Sequence, residues 1–257
     1  MIARTALRVM KQIRAAIRVF LFTISTLGIY AVWWAGHFFV PNKVHWRQVI
    51  FELWTRCFRV ISGMKLEIVG TPPKPPFFLV SNHLSYVDMA ALRQSVNGVF
   101  VAKAEILTWP LAGSLIDAMG SVFIDRQNRR DIPRAGQQIL ERLDAGEGVI
   151  VFPEGTTTKG ETVLPFNSSF LQFAAEGNVP VSYVGLSYSV PDGCPPASDY
   201  VCWWEDISFF AHMWRLFTLR KHTAVVTFGD GPITNPDRKA LAAELRERVL
   251  DKFTPVL

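Results

Sequence analysis

Residues 19–40 carry no charged side chain, and His37 is the only strongly polar residue among them. As a helix, this run is about 33 Å long, enough to cross the ~30 Å hydrocarbon core of a bilayer. Any fold must therefore place it in lipid or pack it away. Before it, Arg4, Arg8, Lys11, Arg14 and Arg18 fall on one face of a helix, with Ile2, Val9, Met10, Ile13, Ala16 and Ile17 on the other. After it, Pro41 and Asn42 break the helix. A second helical pattern follows over residues 44–62, with Trp46, Val49, Ile50, Leu53, Trp54, Phe58 and Ile61 as its apolar stripe. Five basic residues precede the apolar run and four follow within twenty residues, so charge gives no clear sense to a full crossing. A hairpin dipping into one leaflet keeps both flanks on the cytoplasmic face, and it is the expected arrangement. A cleaved signal peptide fits the basic start. It does not fit the length of the run, or the bulky Trp33, Trp34, Phe38 and Phe39 where small residues should mark cleavage.

The overall charge of +5 conceals an asymmetry. Residues 1–65 hold ten basic side chains and one acid, Glu52, whereas the remainder holds 17 basic and 21 acidic ones. A basic end on a mildly acidic body suits an anionic membrane surface. The basic residues flank an apolar stretch and match no nucleic-acid-binding motif, so no nucleic-acid partner is expected. Cys57, Cys194 and Cys202 are scattered without metal-ligand spacing and read as small buried hydrophobes in a reducing compartment; no metal site is expected.

Beyond the loop Thr71-Pro72-Pro73-Lys74-Pro75-Pro76, short apolar runs alternate with helical ones. Strands are predicted over 66–69, 77–81, 99–102, 121–124, 149–152, 181–186 and 224–228. Helices are predicted over 88–95, 110–119, 134–144, 169–176 and 236–253. This alternation predicts an α/β fold, a mixed, mainly parallel sheet flanked by helices. A membrane-associated helical hairpin over residues 1–63 precedes it, and the α/β domain occupies 64–257.

Four short blocks carry chemistry, three of them at the ends of predicted strands, where functional groups gather in open α/β sheets. In Asn82-His83-Leu84-Ser85-Tyr86-Val87-Asp88, a His and an Asp five apart can face each other across a strand-to-helix turn. A carboxylate on one ring nitrogen fixes the tautomer and leaves the other as a base for an alcohol proton. The same block reads equally well as a helix start with Asp88 as its cap. In Gly120-Ser121-Val122-Phe123-Ile124-Asp125-Arg126, a strand ends in an Asp–Arg pair that either holds a phosphate or carboxylate or is a surface ion pair. Val151-Phe152-Pro153-Glu154-Gly155-Thr156-Thr157-Thr158 offers a carboxylate, hydroxyls and backbone amides at one turn. Val179-Pro180-Val181-Ser182-Tyr183-Val184 alone is a buried strand.

In this order, NHxxxxD, FIDR, FPEGT and the VPV strand, the blocks resemble the glycerolipid acyltransferase family, best known for the lysophosphatidate acyltransferases. The resemblance covers about residues 65–230 and extends to the N-terminal helices. It implies that His83 is the general base for the acceptor hydroxyl, that Asp88 orients it, and that Arg126 binds an anionic group of the acceptor. Glu154, Gly155 and Thr156 would help bind substrate and shape the site. It further implies acyl-CoA or acyl carrier protein as donor co-substrate, no resident cofactor, and a place on the cytoplasmic face of a bacterial-type inner membrane. The expected reaction acylates 1-acylglycerol-3-phosphate to phosphatidate.

Two departures bear on the acceptor. Lysophosphatidate enzymes usually carry Arg after EGT, where this chain has Thr157. They also tend to carry basic residues after the later Pro-Phe, where it has Asn167-Ser168-Ser169. Lys159 is a candidate to compensate. These changes resemble the branch that acylates lyso-ornithine lipid or other lysolipids. From other classes, a thioesterase would use the same dyad with water, and a lipid-binding protein would have no need of it. Trp203, Trp204, Phe209, Phe210, Trp214 and Phe217 form an aromatic cluster that reads as core, as a membrane-facing rim or as an acyl-chain wall, and His212 and His222 read as structural.

Overall fold

The structure, a computed structural model, describes residues 2–109, 112–125, 128 and 130–256. The basic start and the apolar run form one helix, α1 (Ile2–Phe39), about 57 Å long. The chain turns at Asn42, whose side chain accepts from the His45 amide at 2.9 Å and starts α2 (Lys43–Ser62). Gly63 closes α2 in the left-handed region, with φ 77°. The two helices run antiparallel: the Trp46 indole donates to the Trp33 carbonyl, the Trp54 indole to Thr26, and the Phe58 ring packs on Phe22 at 5.3 Å.

The body is a seven-stranded sheet of order β1-β7-β6-β2-β5-β3-β4. The strands are β1 (Met64–Val69), β2 (Phe77–Ser81), β3 (Gly98–Lys103), β4 (Val122–Ile124), β5 (Gly148–Val151), β6 (Val181–Ser189) and β7 (His222–Phe228). Only the β6–β7 pair is antiparallel, so the sheet is mixed and mainly parallel. All seven predicted strands are present. The covering helices are α3 (Val87–Ser95), α4 (Ala112–Ala118), α5 (Asp131–Asp144), α6 (Gln172–Glu176), α7 (Ala197–Tyr200), α8 (Phe209–Thr218) and α9 (Arg238–Lys252), with 3-10 turns at Ala104–Thr108 and Ser168–Leu171. The helix predicted over 169–176 is half 3-10 turn, and Pro110 and Leu111 of the helix predicted over 110–119 lie outside the described residues. Helix α8 was not predicted. Its buried Met213, Leu216 and Phe217 follow helical spacing, but the surrounding aromatics mask the period.

The hairpin shares the core of the body. Ala15, Phe51 and Phe58 are buried in the same cluster as the central strands. Two residues of the basic face of α1 turn toward the body. Arg14 donates to the Thr218 carbonyl at 2.9 Å, and Arg18 donates to the carbonyls of Phe217, Leu219 and Arg220. Two cations thus satisfy the open C-terminal end of α8 instead of facing lipid headgroups. On the opposite face, Met10, Ile13, Ile17, Phe20, Ile24, Leu27, Trp34 and Phe38 are each more than half exposed. Their three- and four-residue spacing, with exposed Ala31 between Leu27 and Trp34, makes one apolar stripe along α1.

A buried carboxylate latches α2 to the sheet. Glu147 accepts from Arg47 at 2.5 Å, from Gln48 at 2.6 Å and from Arg142 at 3.4 Å, while Arg93 donates to the Gln48 carbonyl at 2.7 Å. Removing one member of such a group leaves buried charge uncompensated. Glu147→Ala is expected to destabilise the protein by about 3 kcal/mol, whereas Ile24→Ala on the outward stripe changes stability by less than about 0.5 kcal/mol. Denaturant midpoints in detergent check both.

Candidate active site

The parallel register of β2 with β5 brings the two turns that leave them together, with Val80 opposite Val151. Where β2 ends, Asn82 takes over the ladder with its side chain. Its Nδ2 donates to the Leu186 carbonyl and its Oδ1 accepts from the Leu186 amide, both at 2.8 Å. The turn is thereby pinned to β6 immediately before His83.

Asp88 is completely buried, in the first turn of α3. Its Oδ2 accepts from the amides of Leu84 and Ser85 at 2.7 and 3.1 Å and faces His83 Nδ1 at 2.8 Å. Its Oδ1 accepts from the Tyr188 hydroxyl at 2.8 Å. Of the two sequence readings of Asp88, the contact with the histidine is present and the helix cap is not: the cap position is Tyr86, with no side-chain cap bond, and Asp88 accepts from amides that precede the helix. Four donors offset the cost of burying the carboxylate. An ionised carboxylate only accepts, so Nδ1 carries the proton and Nε2 presents a lone pair. The His83 ring stacks on Phe152, centroids 4.0 Å apart and 13° between planes, and its side chain stays 20% exposed. The exposed edge is where a substrate hydroxyl can reach.

The loop after β5 clasps the same turn. Glu154 Oε1 accepts from the His83 amide at 2.6 Å, Oε2 accepts from the Leu164 amide at 2.9 Å, and the Thr158 amide donates to the His83 carbonyl at 3.0 Å. Gly155, with φ 77°, makes the sharp turn this needs, and its amide donates to the Phe152 carbonyl. Thr156 is exposed beside it. Thr157 donates its hydroxyl to the Trp203 carbonyl, and the Trp203 amide donates to the Leu84 carbonyl at 2.7 Å. Burial is the main cause that pushes the Glu154 carboxyl up to about 7, assisted by the Asp88 charge and opposed by its two amide donors and Arg246.

His83, Asp88, Glu154, Gly155 and Thr156 thus come together at one end of the sheet, whereas Arg126 lies outside the described residues. Beside it, the Asp125 amide donates to Asp131, which is paired with Arg134. Lys159 sits over the Trp204 ring at 5.2 Å and pairs with Glu161. His212 is held between the Cys202 carbonyl and the Tyr86 hydroxyl, and burial pushes it down to about 4. Burial likewise pushes His222 down to about 4. Sequence reasoning misses Tyr188, because the sixth predicted strand ends at residue 186. The inward alternation Val184, Leu186, Tyr188 on β6 was the available signal.

Two stability effects follow. Tyr188→Phe removes a hydrogen bond to a buried charge and is expected to cost about 2 kcal/mol. Glu154 holds its proton to about 7 when folded but only to 4.5 when unfolded, so the native state binds more protons between those values. Its contribution is present below pH 4.5 and is lost as pH rises to about 7, by about 3 kcal/mol. Glu154→Gln is expected to flatten that part of the stability–pH curve, read by thermal melts across the range.

Comparison with known proteins agrees with this geometry. The Acyltransferase family pattern matches residues 65–187. The chain is 30% identical over 204 residues to the lyso-ornithine lipid O-acyltransferase of Pseudomonas aeruginosa, covering 79% of this chain and 78% of that one. It is 31% identical over 189 residues to the 1-acyl-sn-glycerol-3-phosphate acyltransferase of Neisseria gonorrhoeae, covering 72% of each. Its fold is similar to the crystal structure of the 1-acyl-sn-glycerophosphate acyltransferase PlsC of Thermotoga maritima, with a TM-score of 0.69 and 20% identity over 95% of this chain and 97% of that one. With its His83–Asp88 dyad set in that fold, the chain belongs to the acyltransferase family.

Proposed function

We propose that the protein transfers a fatty acyl group from the thioester of acyl-CoA or acyl carrier protein to the free hydroxyl of a lysolipid at the membrane surface. The observation that carries this reading is the partly exposed His83 side chain, whose Nδ1 is held at 2.8 Å by a buried carboxylate. The acceptor hydroxyl gives its proton to Nε2 while its oxygen attacks the thioester carbonyl. The tetrahedral adduct collapses by breaking the C–S bond, and the departing thiolate takes the proton from His83. One ester and one free thiol result, and no protein nucleophile is consumed. Asp88 stabilises the transient imidazolium. Glu154 braces the turn, while Gly155 and Thr156 shape the acceptor side and Arg126 binds an anionic group there. The hairpin over residues 1–63 holds the 64–257 body on the cytoplasmic face of the inner membrane.

1-Acylglycerol-3-phosphate, giving phosphatidate, is the acceptor implied by the resemblance to lysophosphatidate enzymes. A second reading, lyso-ornithine lipid, is favoured by a specific contact. Thr157, which stands where those enzymes carry Arg, turns its hydroxyl onto the Trp203 carbonyl and brings no positive charge to the site.

Thiol release from oleoyl-CoA and from oleoyl-acyl carrier protein tests the proposal, measured without acceptor, with lysophosphatidate and with lyso-ornithine lipid. Release is expected to require a lysolipid and to fall about a thousandfold in His83→Ala. Release that needs no acceptor would make the protein a thioesterase. Lysolipid binding with no release from either donor would make it a binding protein.

A further inference from the structure

The body carries an apolar surface that its core does not use. Phe210 is 74% exposed, and Leu107, Trp109 and Trp214 are each more than a third exposed. Phe210 and Trp214 lie one turn apart on the same face of α8. The Trp214 indole donates to Gln12 of α1 at 2.7 Å, which ties this patch to the helix that carries the outward stripe of Met10, Ile13 and Ile17. In the other direction, the Phe210 ring meets Phe209 at 5.5 Å, and Phe209 meets Trp109 at 6.1 Å, next to the turn that holds Leu107.

The patch borders the catalytic turn. Phe209 packs on Tyr86 at 4.8 Å and on Trp203 at 6.1 Å, and the Trp203 amide holds the Leu84 carbonyl, one residue from His83. Exposed rings that join an apolar helix face are costly in water and suited to a lipid boundary, where indoles keep a wet N–H and a dry ring. Exposed Arg8 lies one turn before Gln12 on α1, and exposed Arg220 and Lys221 follow α8 in the chain, so the two helices bring positive charge with them. That combination fits the headgroup layer of an anionic bilayer.

We propose that Leu107, Trp109, Phe210 and Trp214 form a second membrane-docking surface that enters the same leaflet as α1. This inference rests on the reading of α1 as a membrane hairpin.

The test uses the full chain and vesicles of phosphatidylethanolamine and phosphatidylglycerol that contain the lysolipid found active. The variants are Phe210→Glu, and Ile24→Glu on the α1 stripe. The Phe210 ring lies outside the packed core and the catalytic dyad. Phe210→Glu is therefore expected to keep the wild-type rate on a short-chain lysolipid dissolved as monomer, but to lose about tenfold on vesicles, the scale of removing one ring from an apolar phase. Vesicles with brominated acyl chains are expected to quench less fluorescence in a Trp109→Phe, Trp214→Phe double variant than in wild type. Wild-type vesicle rates in Phe210→Glu, with quenching undiminished in the double variant, would overturn the proposal. If Ile24→Glu alone releases the protein from vesicles in that case, the hairpin reading stands without the rim. If Ile24→Glu also has no effect, the hairpin reading falls with it.

Discussion

One buried carboxylate organises the site. Asp88 has no solvent to share its charge, so the fold must supply donors from several directions. It does so with two amides of its own turn, with His83, and with a tyrosine from the far end of β6. These four bonds fix the distance between α3 and the sheet, the path of residues 82–88 and the tautomer of the histidine together. Glu154 applies the same device from the other side, gripping the His83 amide from the loop after β5. His83 is held at its backbone and at its ring, and its side chain stays 20% exposed. Preorganisation of this kind spares the enzyme the reordering of donors during the reaction.

The hairpin is tied to this centre by shared packing. Arg14 and Arg18 close the end of α8, and Phe22 packs on Phe217 of the same helix at 6.2 Å. Helix α8 in turn lays Phe209 and His212 against Tyr86, which lies between His83 and Asp88 in the chain. A helix with an apolar outer stripe and an inner face bonded to the body gains on both sides when it lies along a membrane, because neither face is left to water.

Much of this was legible in the residues, for physical reasons. The strands were readable because buried parallel strands are short continuous apolar runs bounded by Pro and Gly. The dyad was readable because a His and an Asp five apart across a turn have few geometries open to them. Tyr188 was not readable, because a tyrosine late in a buried strand looks like any core residue until the partner of its hydroxyl is known. The inward turn of Arg14 and Arg18 was hidden for a similar reason. Helical periodicity assigns a face, but it cannot say whether headgroups or the open end of another helix lies opposite. Helix α8 was obscured because its aromatics are shared between core and surface.

The account stands on the claim that Asp88 holds the proton on Nδ1 of His83 and frees Nε2 as the base. The direct test is the rate of acyl transfer in Asp88→Asn at saturating lysolipid and donor, in protein shown by circular dichroism to be folded. An amide that donates to Nδ1 reverses the tautomer, so the rate is expected to fall about ten-thousandfold. A folded Asp88→Asn protein that transfers acyl groups at close to the wild-type rate would contradict the assignment of His83 as the base.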